Sequence, residues 1–256
     1  MCLVIFAHRV SAELPLVVAA NRDEFHARPT APASFWPDRP NLLAGRDQQA
    51  GGTWMGITGS GRFAAITNVQ DPSRTAPAPR SRGELTLDFL TGAKPAEDYL
   101  AQIATRADDY AGFNLLLGSG DQLWFLNSQD RTPKQLAPGI YGLSNANLDV
   151  PWPKVELGKQ ELAKLMPQLD GQQPLPWDSL AKVVGGTELA KPEELHRQGL
   201  TGEMDQQLSA QFISAGSYGT RCTTTIVRSL TSVAFRETSF DAKGHTTGVV
   251  KETLPL

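Results

Sequence analysis

The sequence predicts an α+β fold in one domain over residues 1–256: two packed, mostly antiparallel sheets with helices on their outer faces. Three observations predict it. Apolar, β-branched segments lie at both ends of the chain. Tight glycine- and serine-containing turns join such segments in pairs, and helical patterns lie between and after them.

Taken in order, Cys2 to His8 has the β-branched, apolar content of a strand and no helical capping signal. A polar turn at Ser11 to Glu13 leads to a partner strand, Leu16 to Ala20, which runs into Asn21-Arg22-Asp23-Glu24. Arg28 to Pro40 carries four prolines and reads as an extended surface loop. Gly52 to Thr58 and Arg62 to Asn68 flank Gly59-Ser60-Gly61, a hairpin signature. Gly59-x-Gly61-x-x-Ala64 also matches a loose dinucleotide-binding pattern, but a strand-like run follows where that motif needs a helix. Ser81 can cap a helix over Gly83 to Leu90, and Pro95 can start one running to about Arg106. Asn114 to Gly118 and Leu123 to Leu126 form the next hairpin, and a strand ends in Gly142-Leu143-Ser144-Asn145. An amphipathic helix covers about Lys154 to Leu165. The polar stretch from Pro167 to Gln211 holds a short helix near Trp177 to Val184 and reads as an outer layer. Strands return at Phe212 to Ala215, Cys222 to Ser229, Val233 to Phe240 and Thr246 to Glu252.

The 256 residues carry a formal net charge of −3, which gives no global attraction to nucleic acid or anionic membrane. No apolar run approaches the ~20 residues that span a bilayer. The first residues lack the basic segment and small-residue cleavage site of a signal peptide, so a cytoplasmic setting is expected. Two cysteines, Cys2 and Cys222, have no metal-site spacing and form no disulfide framework.

Cys2 carries the chemistry. Removal of Met1 would leave a thiol and a free α-amine on one residue. An α-amine titrates near ~7.7–8.0, so it can serve as general base to a neighbouring thiol whose reference value is ~8.5. The histidines do not supply this base. His8 shares the Cys2 face of an extended strand but lies roughly 20 Å away, and His26, His196 and His245 have no pairing pattern. The plainer reading of Cys2 is a small buried apolar residue.

Asn21-Arg22-Asp23-Glu24, following a strand just downstream of Met1-Cys2, resembles the signature of the NRDE family, of the transport and Golgi organisation protein 2 type. Further blocks extend the resemblance over nearly the whole chain: Gly51 to Gly56, Ile66-Thr67-Asn68, Ser81-Arg82-Gly83, Gly142 to Asn145 with Leu148-Asp149, Pro151-Trp152-Pro153-Lys154, and Tyr218 to Arg221. More distantly the same positions resemble the cysteine N-terminal-nucleophile (Ntn) hydrolases of the penicillin V acylase, bile salt hydrolase and acid ceramidase type. The resemblance implies a four-layer αββα sandwich and a catalytic set of Cys2, Asp23, Asn68, Asn145 and Arg221. Asp23 would hold the cysteine amine, Asn68 and Asn145 would shape an oxyanion site, and Arg221 would favour thiolate. Arg22, Asn21, Glu24 and Trp54 are the expected substrate contacts.

One position departs from the acylase pattern. Those enzymes place an arginine three residues before the strand-end aspartate, where this chain has Ala20, and Arg22 stands beside Asp23 instead. Side chains alternate along a strand, so a regular strand lets only one of the two face the thiol. Plainer roles stand beside the assigned ones: Arg22 and Asp23 at a turn, Asn145 in a left-handed turn, Arg221 in a structural ion pair, and Trp54, Trp124 and Trp152 in the core.

Two functions follow from this reading. One is an amidase or acyltransferase acting through Cys2 on a small amide, with no cofactor required. The other is a non-catalytic carrier of haem, lipid or acyl-CoA on the same scaffold, for which Cys2, Cys222 and the four histidines are the strong axial-ligand candidates.

Overall fold

A computed structural model describes residues 2–69, 77–170 and 174–256. The N-terminal half runs β1 (Cys2–His8), β2 (Leu16–Phe25), β3 (Thr30–Trp36), β4 (Arg39–Asp47), β5 (Met55–Thr58) and β6 (Phe63–Asn68), then helices α1 (Gly83–Thr91) and α2 (Ala96–Thr105). Next come β7 (Phe113–Ser119), β8 (Gln122–Asn127), β9 (Lys134–Gln135) and β10 (Gly139–Leu143). Helices α3 (Pro153–Leu169), α4 (Trp177–Lys182), α5 (Pro192–Arg197) and α6 (Glu203–Gln207) precede β11 (Ser214–Ala215), β12 (Tyr218–Arg228), β13 (Ser232–Phe240) and β14 (Thr246–Pro255).

The strands form two antiparallel sheets. The first has the order β10-β1-β2-β12-β13-β14, with β11 on β12; the second runs from β3 to β9 in chain order. Apolar residues run almost unbroken along the inner strands and project to alternate sides, so both faces of each sheet become buried. Val4, Phe6, Val18, Ile226 and Phe235 from the first sheet meet Leu43, Ile57, Phe63, Leu116 and Phe125 from the second. The intervening residues face outward to helices. Leu42, Ala64, Leu115 and Leu117 pack under α1 and α2, whereas Leu3, Ile5, Val17 and Val227 pack under α3 and α4. The layers are therefore helix, sheet, sheet, helix, as expected.

Three boundaries differ from the expectations. Arg28 to Pro40 is not a wandering loop but contains β3 and the start of β4. Its prolines are tolerated because β3 is an edge strand and its register with β4 breaks between Ala31 and Ser34, where Pro32 sits. The Phe212 to Ala215 strand shrinks to Ser214–Ala215, while the following strand begins four residues early, at Tyr218. In the stretch from 167 to 211, α5 and α6 join the expected α4; residues 171–173 lie outside the described residues. Gly61 takes φ +76° in the β5–β6 turn and a strand follows it, so the glycine pattern there makes a hairpin.

Candidate functional site

The site is built at the open end of β1. Register pairs Cys2 with Arg22 on β2, and Arg22 with Cys222 on β12. Directly opposed residues share a face, so these three side chains project toward the second sheet, in line with Val4, Val18 and Ile226. Asp23 lies one residue beyond the last β1–β2 pair. Its side chain takes the opposite face, but its backbone N–H donates to the Cys2 thiol. The choice posed by Ala20 thus resolves: Arg22 faces with the thiol, and Asp23 meets the thiol through its backbone N–H because it stands at the strand end.

A cleft of about 110 Å³ opens above Cys2. Its walls include Arg22, Asp23, Glu24, Arg28, Asp47, Trp54, Asn68 and Arg82. Arg22 is 6% exposed, lies 4.3 Å above the Trp54 ring, and donates from Nη1 to Thr30 Oγ1 at 3.2 Å. Trp54 is seated over Gly45, where an added Cβ would fall 2.1 Å from the indole; only glycine leaves room for the ring. Arg28 forks onto Asp47, with Nη2–Oδ2 at 2.6 Å, and lies 3.9 Å from Glu24. Arg82 enters from the turn before α1 and donates to Gly112 O at 3.0 Å. That turn approaches the Gly52–Thr53 backbone so closely that a Cβ on Gly52 would fall 2.4 Å from the Gly83 carbonyl carbon.

Asp23 is 3% exposed. Its Oδ1 accepts from Thr220 Oγ1 at 2.7 Å, and Tyr218 Oη donates to its backbone carbonyl at 2.9 Å. Asn21 points into the helical layer: its amide donates to Val184 O and Gln211 O, and Thr223 Oγ1 donates to its carbonyl. Asn68 lines the cleft. Asn145 stands behind it, donating from Nδ2 to Asn68 O at 2.8 Å. Ser144 Oγ, 3.0 Å from Cys2 O and 3.1 Å from Asn145 Oδ1, ties that loop to β1.

Arg221 is placed elsewhere. It is the extra residue of a β-bulge, because pairing passes from Thr220–Asp23 to Cys222–Arg22. Its guanidinium donates to Phe25 O and Arg28 O, so it braces the β2–β3 turn rather than the cleft wall. Expected residues brought to the cleft are therefore Cys2, Arg22, Asp23, Glu24, Trp54 and Asn68, with Asn145 one contact behind.

Four site residues had no assigned role in the sequence reading. Arg82 and Lys154 lie inside the family-like blocks Ser81-Arg82-Gly83 and Pro151-Trp152-Pro153-Lys154, which was a usable signal. Arg28 and Asp47 carried none, since they meet only through β3–β4 pairing. Lys154 is 4% exposed, donates from Nζ to Leu208 O at 2.9 Å, and sits 5.7 Å over the Trp152 ring.

Electrostatics follow from burial. Burial pushes the Cys2 thiol above its ordinary value, and the Asp23 charge adds to this, while the Asp23 N–H and Arg22 act against it. Burial likewise raises the Asp23 carboxyl, opposed by the Thr220 hydroxyl, Lys154 and Arg22. The same cause lowers Lys154, and the Asp23 and Cys2 charges resist it. The Cys2 thiol in this setting is held as the neutral form, and a base is needed to make it a nucleophile. The described residues hold no group of three or more His, Cys, Asp or Glu arranged for a metal ion. No helix among them is long and apolar enough to cross a membrane.

Four layers, helix, sheet, sheet and helix, with a cysteine at the head of an inner strand and a cleft at that strand's end, define a mixed α+β sandwich with its candidate site at one edge. The chain belongs to the Transport and Golgi organisation 2 family, which matches residues 1–242. It is 36% identical over 250 residues to the human Transport and Golgi organization protein 2 homolog, covering 91% of this chain and 84% of that protein. The mouse homolog is 35% identical over 248 residues, with the same coverage. The Drosophila melanogaster Transport and Golgi organization protein 2 is 29% identical over 188 residues, covering 65% of each chain. Among solved structures, a Caenorhabditis elegans N-acylethanolamine-hydrolyzing acid amidase ortholog aligns at TM-score 0.44 and 11% identity, covering 88% of this chain and 92% of that one. The C2A mutant of the conjugated bile acid hydrolase from Clostridium perfringens aligns at TM-score 0.41 and 9% identity, covering 98% and 96%.

Proposed function

We propose that this protein is a cysteine amidohydrolase or acyltransferase in which Cys2, freed by removal of Met1, attacks the carbonyl of a small amide. Met1 lies outside the described residues. The observation that supports the reading is the convergence on one cleft of Cys2, Asp23 and Asn68, with the Asp23 backbone N–H on the Cys2 thiol and Asp23 one residue beyond the last β1–β2 pair.

In this reading the α-amine takes the thiol proton, which answers the need for a base beside a thiol that burial keeps neutral. Asp23 orients the resulting ammonium. Sulfur bonds to the carbonyl carbon, and the oxyanion forms against Asn68, which Asn145 braces through its bond to Asn68 O; such a donor is worth ~3–4 kcal/mol. The C–N bond then breaks, the amine leaves with the proton, and water or an acceptor amine resolves the thioester.

Intact-mass spectrometry of the purified protein, before and after iodoacetamide, tests this. The expected result is loss of Met1 and rapid modification of Cys2 only, together with amide turnover that disappears in Cys2→Ala. A retained Met1 with two inert thiols would sink the proposal.

A further inference from the structure

Charge in the cleft is unevenly paired. Three guanidiniums, Arg22, Arg28 and Arg82, share the wall with three carboxylates, Asp23, Glu24 and Asp47. Arg28 takes two of the acids, forking onto Asp47 and approaching Glu24. Asp23 turns to the other face of β2, onto the Thr220 hydroxyl. Arg22 and Arg82 are left without a carboxylate oxygen within 4.0 Å among the described residues. The nearby Glu237 does not neutralise Arg22 by contact. Its oxygens accept from Ala33 N and Thr224 Oγ1, and burial pushes its carboxyl up toward the neutral form.

An arginine has five N–H donors in a planar fork. Arg22, more than nine-tenths buried, has one hydrogen bond, to Thr30, and its plane is held by Trp54. Arg82 has one, to Gly112 O. Two such guanidiniums on the wall of one small cleft leave donors directed at whatever occupies it, and the planar fork suits a carboxylate.

We propose that Arg22 and Arg82 form an anion subsite beside Cys2 that takes a carboxylate on the substrate, making N-acyl amino acids the preferred class over uncharged amides. The cleft's small volume sets that carboxylate within a few bonds of the attacked carbonyl. The chemistry rests on the amidohydrolase reading: the acyl carbon bonds to sulfur, the C–N bond breaks, the amino acid leaves with the thiol proton, and water restores the thiol and releases the acyl group as a carboxylic acid. The binding half does not need turnover.

The test uses Cys2→Ala protein and two near-isosteric probes, N-octanoylglycine and N-octanoylglycinamide, in isothermal titration calorimetry. The acid is expected to bind about tenfold tighter or more, since hydrogen bonds to charged groups are each worth ~1.5–3 kcal/mol. Adding Arg82→Gln should abolish the preference, whereas Arg82→Lys should keep part of it because charge remains and the fork is lost. Arg22→Gln should act as Arg82→Gln does, with circular dichroism verifying its fold; Arg82, more exposed, carries the test if that variant is unstable. Equal affinity for acid and amide overturns the subsite. Wild-type turnover of both probes at equal kcat/KM overturns it too, while leaving the amidohydrolase reading intact. Arginine-dependent acid binding without turnover keeps the subsite and removes the amidohydrolase reading instead.

Discussion

Cys2 and Cys222 flank Arg22 on one face of the sheet, yet their surroundings assign them different behaviour. Cys222 is 4% exposed, its thiol bonds to Glu237, and burial raises it well above the ordinary value. Cys2 retains surface at the cleft. Iodoacetamide under native conditions should therefore give a single adduct, at Cys2, with Cys222 reacting only after unfolding; peptide mapping reads this directly. Arg22 favours the Cys2 thiolate, so Arg22→Gln should raise the thiol further and slow alkylation at pH 8. Glu237 gives a stability prediction. Its folded value lies above the unfolded one, so the advantage of its neutral form is complete below the unfolded value and is lost as pH rises through the folded one. At neutral pH and above, its burial is a cost. Glu237→Gln keeps an acceptor for Ala33 N–H without the charge. It should raise Tm at pH 8, with the gap closing toward about pH 4 in a thermal melt series.

Between elements, the cleft depends on close backbone approach. The turn carrying Arg82 into α1 rests on Gly52, and no side chain fits between them. Gly52→Ala should cost about 1–3 kcal/mol in urea unfolding and, by displacing Arg82, weaken cleft binding more than a distant substitution of equal cost. The bulge at Arg221 works in the same way. One extra residue in β12 turns that arginine away from the cleft and onto the turn holding Arg28. The proline-rich segment also finds its place here, since an edge position and a register break let β3 keep its prolines.

For the whole molecule, β12 is the closure. It inserts between β2 and β13, so the first and last parts of the chain complete one sheet, and Asp23 meets Thr220 across that join. The apolar layer between the sheets makes this pairing cooperative. Phe235, 1% exposed, fills it from β13. Phe235→Ala should cost about 3–5 kcal/mol, a large share of the ~5–15 kcal/mol typical of a domain. A lower urea midpoint at unchanged slope is the expected signature.

The sequence by itself determined α1 to α3 and the hairpins β5–β6 and β7–β8, because side-chain periodicity and turn chemistry are local; β3, whose prolines read as a loop, and the short helices α5 and α6 were not legible in it. It also pointed to where the cleft lies, since a cysteine at position 2 and an aspartate after the second strand, both on the cleft wall, are legible without coordinates. Only the tertiary structure decided which side chains share the cleft. Cross-strand register put Arg22 on the Cys2 face and Asp23 at the strand end. A one-residue bulge removed Arg221, and close glycine packing brought in Arg82 from sixty residues beyond Arg22. Those contacts join residues distant in sequence, and a shift of one residue reverses the face a strand presents, so no local pattern encodes them.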